Sequence, residues 1–315
     1  MKNYNVCALG EILIDFTTIG KSENGMNVFE QNPGGAPANV LAAISSLGGN
    51  AAFLGKIGKD MHGDFLRETL MEHSINTDGL ISDENYFTTL AFVSLKDGER
   101  SFSFARKPGA DTQLSPDEVN TDIIRNSDVL HIGSLSLTDE PAKSATLYAI
   151  DTARKENITV SYDPNYRAML WGDEERAKKG MQEILDKVDI IKISDEETNL
   201  LTPYSSPEDA AKHLLTKGIS TVIVTLGKEG ALIVTKDGMI KSLPAPCEKV
   251  VDTTGAGDSF MGGFLFKMTK DGLTPKDITL EKAKEYADFA NKVAAYCIQR
   301  RGAINAMPSY EDVAE

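Results

Sequence analysis

Residues 250–260 read VVDTTGAGDSF, a Gly-Ala-Gly turn and one carboxylate, Asp258, set between two apolar runs. The preceding EKVVDTT reads as a strand end, and the following SFMGGFLFKMTKDG as a buried helix. A helix that starts in Gly-Ala-Gly offers free backbone N–H groups at its positive dipole end, which makes the junction a cradle for an anion. A plain glycine-rich turn with Asp258 as a first-turn carboxylate satisfies the same pattern. Two phosphate signatures are excluded. Phe260 stands where GxGxxG needs its third glycine, no strand with a terminal acid follows, and GxxxxGK[ST] occurs nowhere.

Composition says where such an anion could be held. With 47 acidic against 33 basic residues the net charge is -14, a field that repels nucleic acid and anionic membrane surfaces, so neither is expected as a partner and any anion must be bound locally. Cys7, Cys247 and Cys297 are odd in number and lack CxxC spacing, which fits a reduced compartment rather than a disulfide framework or zinc site. Glu11 and Asp15 interrupt the first apolar stretch and exclude a signal-peptide core, and no run approaches the roughly 20 residues of a membrane span. A cytoplasmic chain is expected.

Short apolar runs rich in β-branched residues recur: YNVCALG, AAFLGKIG, DVLHIGS, ITVSYD, VDIIKIS, TVIVTLG and GALIVTK. Most are too continuous to keep one face wet, which predicts a mainly parallel sheet covered on both sides. Helical patterns lie between most of them. Pro37 sits just inside one that Gly48 closes, and Ser206-Pro207 opens another that ends at Gly218. Such alternation predicts a doubly wound α/β sandwich, without repeat or linker. Two stretches break the rhythm. Residues 12–31 run from a strand through a turn at Glu23–Gly25, and 87–106 read as two strands joined at Lys96-Asp97-Gly98-Glu99. Alternation places Phe102, Phe104 and Arg106 on one face of the second. Both are expected in a small sheet standing off the main one.

Several polar residues sit where they need partners. Asp15 lies among apolar neighbours in ILIDF, costly unless hydrogen-bonded or turned to solvent, and Asn39 is the one amide in an otherwise apolar helix. Asp163-Pro164-Asn165 ends a strand at the edge where ligands collect in open α/β sheets, and equally suits a turn. Lys192 and the acids Asp195, Glu196 and Glu197 read alone as solvated groups, and TLGKEG at 225–230 as a hairpin turn. His62, His73, His131 and His213 lack metal-ligand spacing.

The stretch DTTGAGDSF resembles the C-terminal motif of the ribokinase (PfkB-type) family of carbohydrate kinases, and GGAPANV at 34–40 resembles that family's di-glycine motif. The likeness extends over essentially the whole chain, and SFSFARKPGAD, DPNYRAMLW and KISDEE look most like the bacterial fructokinase branch. The resemblance implies one kinase domain over 1–315, an α/β/α sandwich with a mainly parallel central sheet, and a β-sheet lid from about 12–32 and 87–107. It implies that the Gly255-Ala256-Gly257 backbone holds the phosphate being transferred and that Asp258 takes the proton of the attacking hydroxyl. Sugar contacts would come from Asp15, Gly34, Gly35, Asn39, Phe104, Arg106, Asn165 and Arg167. ATP would meet Lys192, Glu197, Thr225, Gly227 and Asn291, with Glu197 reaching Mg²⁺ through water and Asp252, beside the Arg301-Gly302-Ala303 loop, serving a K⁺ site. Ser194 departs from the Asn often found there. The implied reaction is phosphorylation of fructose at its 6-hydroxyl, with 2-keto-3-deoxygluconate as the alternative substrate and a silent sugar sensor as the alternative class. Exposed edges of the small sheet can pair between two subunits, so a homodimer through the lid sheet is expected.

Overall fold

The computed structural model describes residues 2–96 and 99–314, with the backbone alone for 94–96 and 99–102. The expected turn at 97–98 and the side chain of Phe102 therefore lie outside the described residues. Among the described residues there are thirteen strands: β1 (Tyr4–Leu9), β2 (Leu13–Lys21), β3 (Asn27–Gly34), β4 (Ala51–Gly58), β5 (Ile75–Asp83), β6 (Leu90–Lys96), β7 (Glu99–Ala105), β8 (Ser127–Gly133), β9 (Thr159–Asp163), β10 (Ile190–Ser194), β11 (Thr221–Thr225), β12 (Ala231–Thr235) and β13 (Gly238–Ser242). Nine form the main sheet in the order β13-β12-β11-β10-β9-β8-β1-β4-β5, and only β12 runs against the rest, antiparallel to both β11 and β13.

Both faces of this sheet are covered, as the continuous apolar runs require. Along β1, Val6 and Ala8 enter one core with Val40, Phe264 and Tyr286 from the helices Ala36–Ser46, Ala256–Lys270 and Leu280–Cys297. Cys7 and Leu9 enter the other, with Ala149, Met181 and Leu214 from the helices Ala142–Lys155, Glu174–Gln182 and Pro207–Leu215. The result is the expected three-layer sandwich. Two edge strands, β5 and β13, escape the sequence reading because each keeps exposed positions and so lacks a continuous apolar run.

The second sheet has the order β3-β2-β6-β7. Its register sets Asp15 opposite Asn32 and Ala91, and Ala91 opposite Phe104, so Asp15, Asn32 and Phe104 share one face. Phe16, Phe29 and Phe92 pack on the other, with Phe16 stacked on Phe92 at 5.4 Å between centroids.

The four strand roots of this small sheet meet buried polar groups of the main body. Glu11, just before β2, accepts at Oε1 from the backbone N–H of Ala36, just after β3, at 3.0 Å. Asp111 accepts from the hydroxyl of Thr89, before β6, and from Nε of Arg106, after β7, at 2.7 Å. Arg106 also donates to Thr138 Oγ1 at 3.0 Å and to the Leu135 carbonyl at 2.9 Å. This corrects the expectation that Arg106 shares a lid face with Phe104. The strand ends at Ala105, and the guanidinium turns inward because a buried carboxylate, a hydroxyl and a carbonyl await it.

Candidate active site

The cradle forms where the opening stretch places it, by a different route. Residues 248–253 are not a strand end. Val250 and Val251 are exposed, and the segment is tethered by the N–H groups of Val251 and Asp252 to the Ile298 carbonyl, at 2.8 and 3.1 Å. The chain then enters the helix Ala256–Lys270 through Gly255, whose φ of 77° is left-handed and whose would-be Cβ stands 2.6 Å from that of Ala303. No side chain caps this N-terminus, but the Ala256 N–H is donated to the Thr253 carbonyl at 3.2 Å, so the three expected cradle N–H groups are not all free.

Asp258 occupies the first turn of that helix and is buried. Its Oδ2 accepts from Asn39 Nδ2 at 2.7 Å and its Oδ1 from Asn165 Nδ2 at 3.4 Å. Three elements thus converge on one carboxylate: the helix after the GGAPANV turn, the loop after β9, and the cradle. Asn165 reaches it from a left-handed φ of 45°, which an Asn tolerates better than most residues. Burial pushes the Asp258 carboxyl up to about 6, and Asp163 adds to the effect while Lys192, Asn39 and Arg167 oppose it. A group so placed is ionised at neutral pH yet more basic than an ordinary aspartate.

Asp15 faces the same space from the small sheet. Burial pushes its carboxyl up to about 6, with Arg167 opposing and Asp252 adding, so the Arg167 charge acts on both Asp15 and Asp258. Gly34 is packed so close to the Asp15 carboxylate that a side chain there would strike Oδ2. The Arg167 side chain is exposed and, among the described residues, donates to the carbonyls of Asn165 and Tyr166 at its own turn, from which it can swing to a ligand.

Lys192 is not solvated. It is buried, its Nζ lies 2.5 Å from Asp163 Oδ2, and a Cβ on Gly257 would stand 2.7 Å from that Nζ, so the ammonium sits directly against the cradle. Glu197 is also buried, and both its oxygens are engaged. Oε1 accepts from the Tyr166 N–H at 2.7 Å, and Oε2 from the N–H and hydroxyl of Ser194 at 2.8 and 3.0 Å. It fixes the Asn165-Tyr166-Arg167 loop against β10, a positioning role in place of the solvated helix start that its three-acid run suggests.

The remaining expected residues lie along the same carboxyl edge of the sheet or beside it. Thr225 ends β11, with its hydroxyl on the Ile193 carbonyl at 3.3 Å, and Gly227 follows at φ 53°. Asn291 spends its amide on Ser242 Oγ and the Leu243 carbonyl, at 2.8 and 2.9 Å, and so supports the loop after β13. Asp252 accepts from Thr254 and from the Gly302 N–H at 3.3 Å, joining the cradle to the 301–303 loop.

The sequence reading passed over Glu11, Asn32 and Asp163 as site-forming groups. Asn32 is legible only through strand register. Asp163 carried a signal, an acid closing an apolar strand, which is read as a turn former unless the neighbouring lysine is known.

Residues 3–310 match the family model described as pfkB family carbohydrate kinase. Probable fructokinase-5 of Arabidopsis thaliana is 42% identical over 311 residues, covering 98% of this chain and 95% of the relative. Fructokinase-2 of Oryza sativa subsp. japonica is 42% identical over 310 residues, covering 96% and 91%. Among solved structures, fructokinase with bound ATP from Xylella fastidiosa superposes with a TM-score of 0.87 at 31% identity, covering 99% of this chain and 97% of that one. Fructokinase from Vibrio cholerae O395, bound to fructose, ADP and calcium ion, gives 0.87 at 30% identity, covering 98% and 99%.

Proposed function

The chain belongs to the pfkB family of carbohydrate kinases, and from that premise we propose that it transfers the γ-phosphoryl group of ATP to the 6-hydroxyl of D-fructose. The observation that carries the reading is the buried Asp258 carboxylate held by Asn39 and Asn165 at the uncapped N-terminus of the helix Ala256–Lys270. The relatives named above, with a fructose-bound and an ATP-bound structure among them, support the choice of sugar and nucleotide.

In this reading the sugar lies between Asp258 and the small sheet, with Asp15 and Phe104 above it and Asn39, Asn165 and Arg167 around its hydroxyls. As the new oxygen–phosphorus bond forms and the bond to the β-phosphate oxygen breaks, the hydroxyl proton passes to Asp258 and ADP departs. A loose transition state asks little of the base, and its charge is met by Lys192 and by the N–H groups of Gly255 and Gly257, joined by that of Ala256 if it leaves the Thr253 carbonyl. The small sheet acts as a lid within one kinase unit, excluding water that would otherwise compete as acceptor.

Among the described residues no group of three His, Cys, Asp or Glu could cage a metal, which suits Mg²⁺ arriving on the triphosphate and keeping most of its waters. Glu197, with both oxygens already accepting, would reach it only through water, and Asp252 with the 301–303 loop would hold a monovalent cation. Phe29 and Phe92, each partly exposed on the outer lid face, offer apolar surface for a second copy. No described helix is long and apolar enough to cross a membrane, and we place the enzyme in the cytoplasm.

The test is a coupled ADP-release assay at fixed MgATP against fructose, 2-keto-3-deoxygluconate, ribose, glucose and adenosine. Preference for fructose supports the reading. Preference for the keto acid keeps the chemistry and reassigns Arg167 to a carboxylate. Silence with calorimetric sugar binding points to a sensor.

A further inference from the structure

Lys192 lies in the field of three carboxylates, Asp163, Asp258 and Glu197, yet only one is within ion-pair distance. Asp163 closes β9 and Lys192 lies beside it on β10, one residue beyond the paired Tyr162 and Ile191, so the two side chains share a face of the sheet. Asp163 is 1% exposed, and neither of its oxygens has a hydrogen-bond partner of regular geometry. A buried carboxylate without a counter-charge is strongly disfavoured, and the Lys192 ammonium 2.5 Å away supplies one. The same ammonium lies against Gly257 of the cradle.

We propose that Asp163 is a positioning residue for phosphoryl transfer: it holds the Lys192 ammonium beneath Gly257, available to the group in flight, and keeps it from closing an ion pair on Asp258. The inference rests on the kinase reading. Without the Asp163 charge, Lys192 would turn to Asp258 as its strongest remaining partner and occupy the oxygens that must take the acceptor proton. The cradle would lose an oriented cation at the same time. Neither effect requires a change in how fructose or ATP is bound, so the loss belongs in kcat.

Asp163→Asn removes the charge and preserves the side chain's shape. It is expected to lower kcat by ~10² while leaving the KM values for fructose and ATP within about threefold. Asp163→Glu, which restores the carboxylate, should recover most of the rate. In a Lys192→Met background, Asp163→Asn should cost less than about twofold more, because both act through one ammonium. A kcat for Asp163→Asn within about threefold of wild type, or equal losses in the two backgrounds, would overturn the proposal. If Asp163→Asn shows no cooperative melting transition, the cycle is run with Asp163→Ser, which admits water to the vacated space, and judged by the same outcomes. A wild type silent on every sugar overturns the kinase reading and this inference with it, whereas an active wild type with an unperturbed Asp163→Asn overturns the inference alone.

Discussion

Replacing Asp258 by Asn should remove most turnover and make the protein more stable. Burial raises the Asp258 carboxyl from 3.8 to about 6, so at pH 8 folding confines a charge that the unfolded chain would hydrate. That displacement is worth roughly 3 kcal/mol against the fold. The Asn variant escapes it but loses one good acceptor for Asn39 or Asn165, a cost of about 1 kcal/mol, leaving a net gain of about 2 kcal/mol. With an unfolding entropy of about 2.1 cal/mol/K per residue over 315 residues, the melting temperature should rise by roughly 3 °C at pH 8. The sign follows from the direction of the shift. A carboxyl whose proton is held more tightly folded than unfolded penalises the fold fully above about 6, and the penalty fades as pH falls towards 3.8. Scanning calorimetry of both proteins at pH 8 and pH 5 reads the gap, which should narrow at the lower pH. The same preparations should bind ATP alike, while kcat for the variant falls by ~10²–10⁴. An Asn variant that melts below wild type at pH 8, or a gap identical at both pH values, would refute the burial argument, and a kcat within tenfold of wild type would remove Asp258 from the chemistry.

Arg106→Ala should cost about 3–5 kcal/mol in urea denaturation, because it strands the buried Asp111 charge, and removing Asp111 as well should recover part of the loss. A change below about 1 kcal/mol would mean that the pair is not what fixes the root of β7. Asp15→Ala should raise the fructose KM by at least about tenfold with the ATP KM unchanged, since Asp15 faces the sugar space from the small sheet. Equal rises in both would place Asp15 outside the sugar site.

The sandwich was legible because buried parallel strands cannot hide: a run such as AAFLGKIG is apolar on both faces, and its β4 is buried throughout. Edge strands β5 and β13 were not, since most of their positions are not buried. At the site, Asn39 was legible as a polar residue in an apolar helix, where a missing partner is conspicuous, and Asp258 through the Gly-Ala-Gly turn before it and the family motif they form. Arg106 was misplaced for a related reason. Alternation assigns faces within a strand, and it fails one residue past the end, where the chain turns and tertiary partners decide. Lys192 and Glu197 looked solvated because charged residues at strand ends usually are. Their burial depends on Asp163, Ser194 and Tyr166, brought together by the adjacency of β9 and β10, which no local pattern encodes.

The same adjacency bears on how an acidic protein accepts a triphosphate. Around the cradle stand Asp163, Asp258, Glu197 and Asp252, against Lys192 and Arg167. Apart from helix N–H groups, the local side-chain charge is therefore negative, and the surface field of a chain with net charge -14 does nothing to offset it. Free ATP would bring its full charge into this surplus, whereas ATP carrying a divalent cation brings two fewer negative charges and an ion whose waters the carboxylates can bind. Isothermal titration should accordingly find ATP binding weakened at least about tenfold when EDTA replaces Mg²⁺, with added KCl failing to restore it because screening acts poorly on buried groups. Equal affinity with and without Mg²⁺ would mean that the helix N-terminus and Lys192 outweigh the carboxylates unaided, and the charge balance drawn here for the cradle would be wrong.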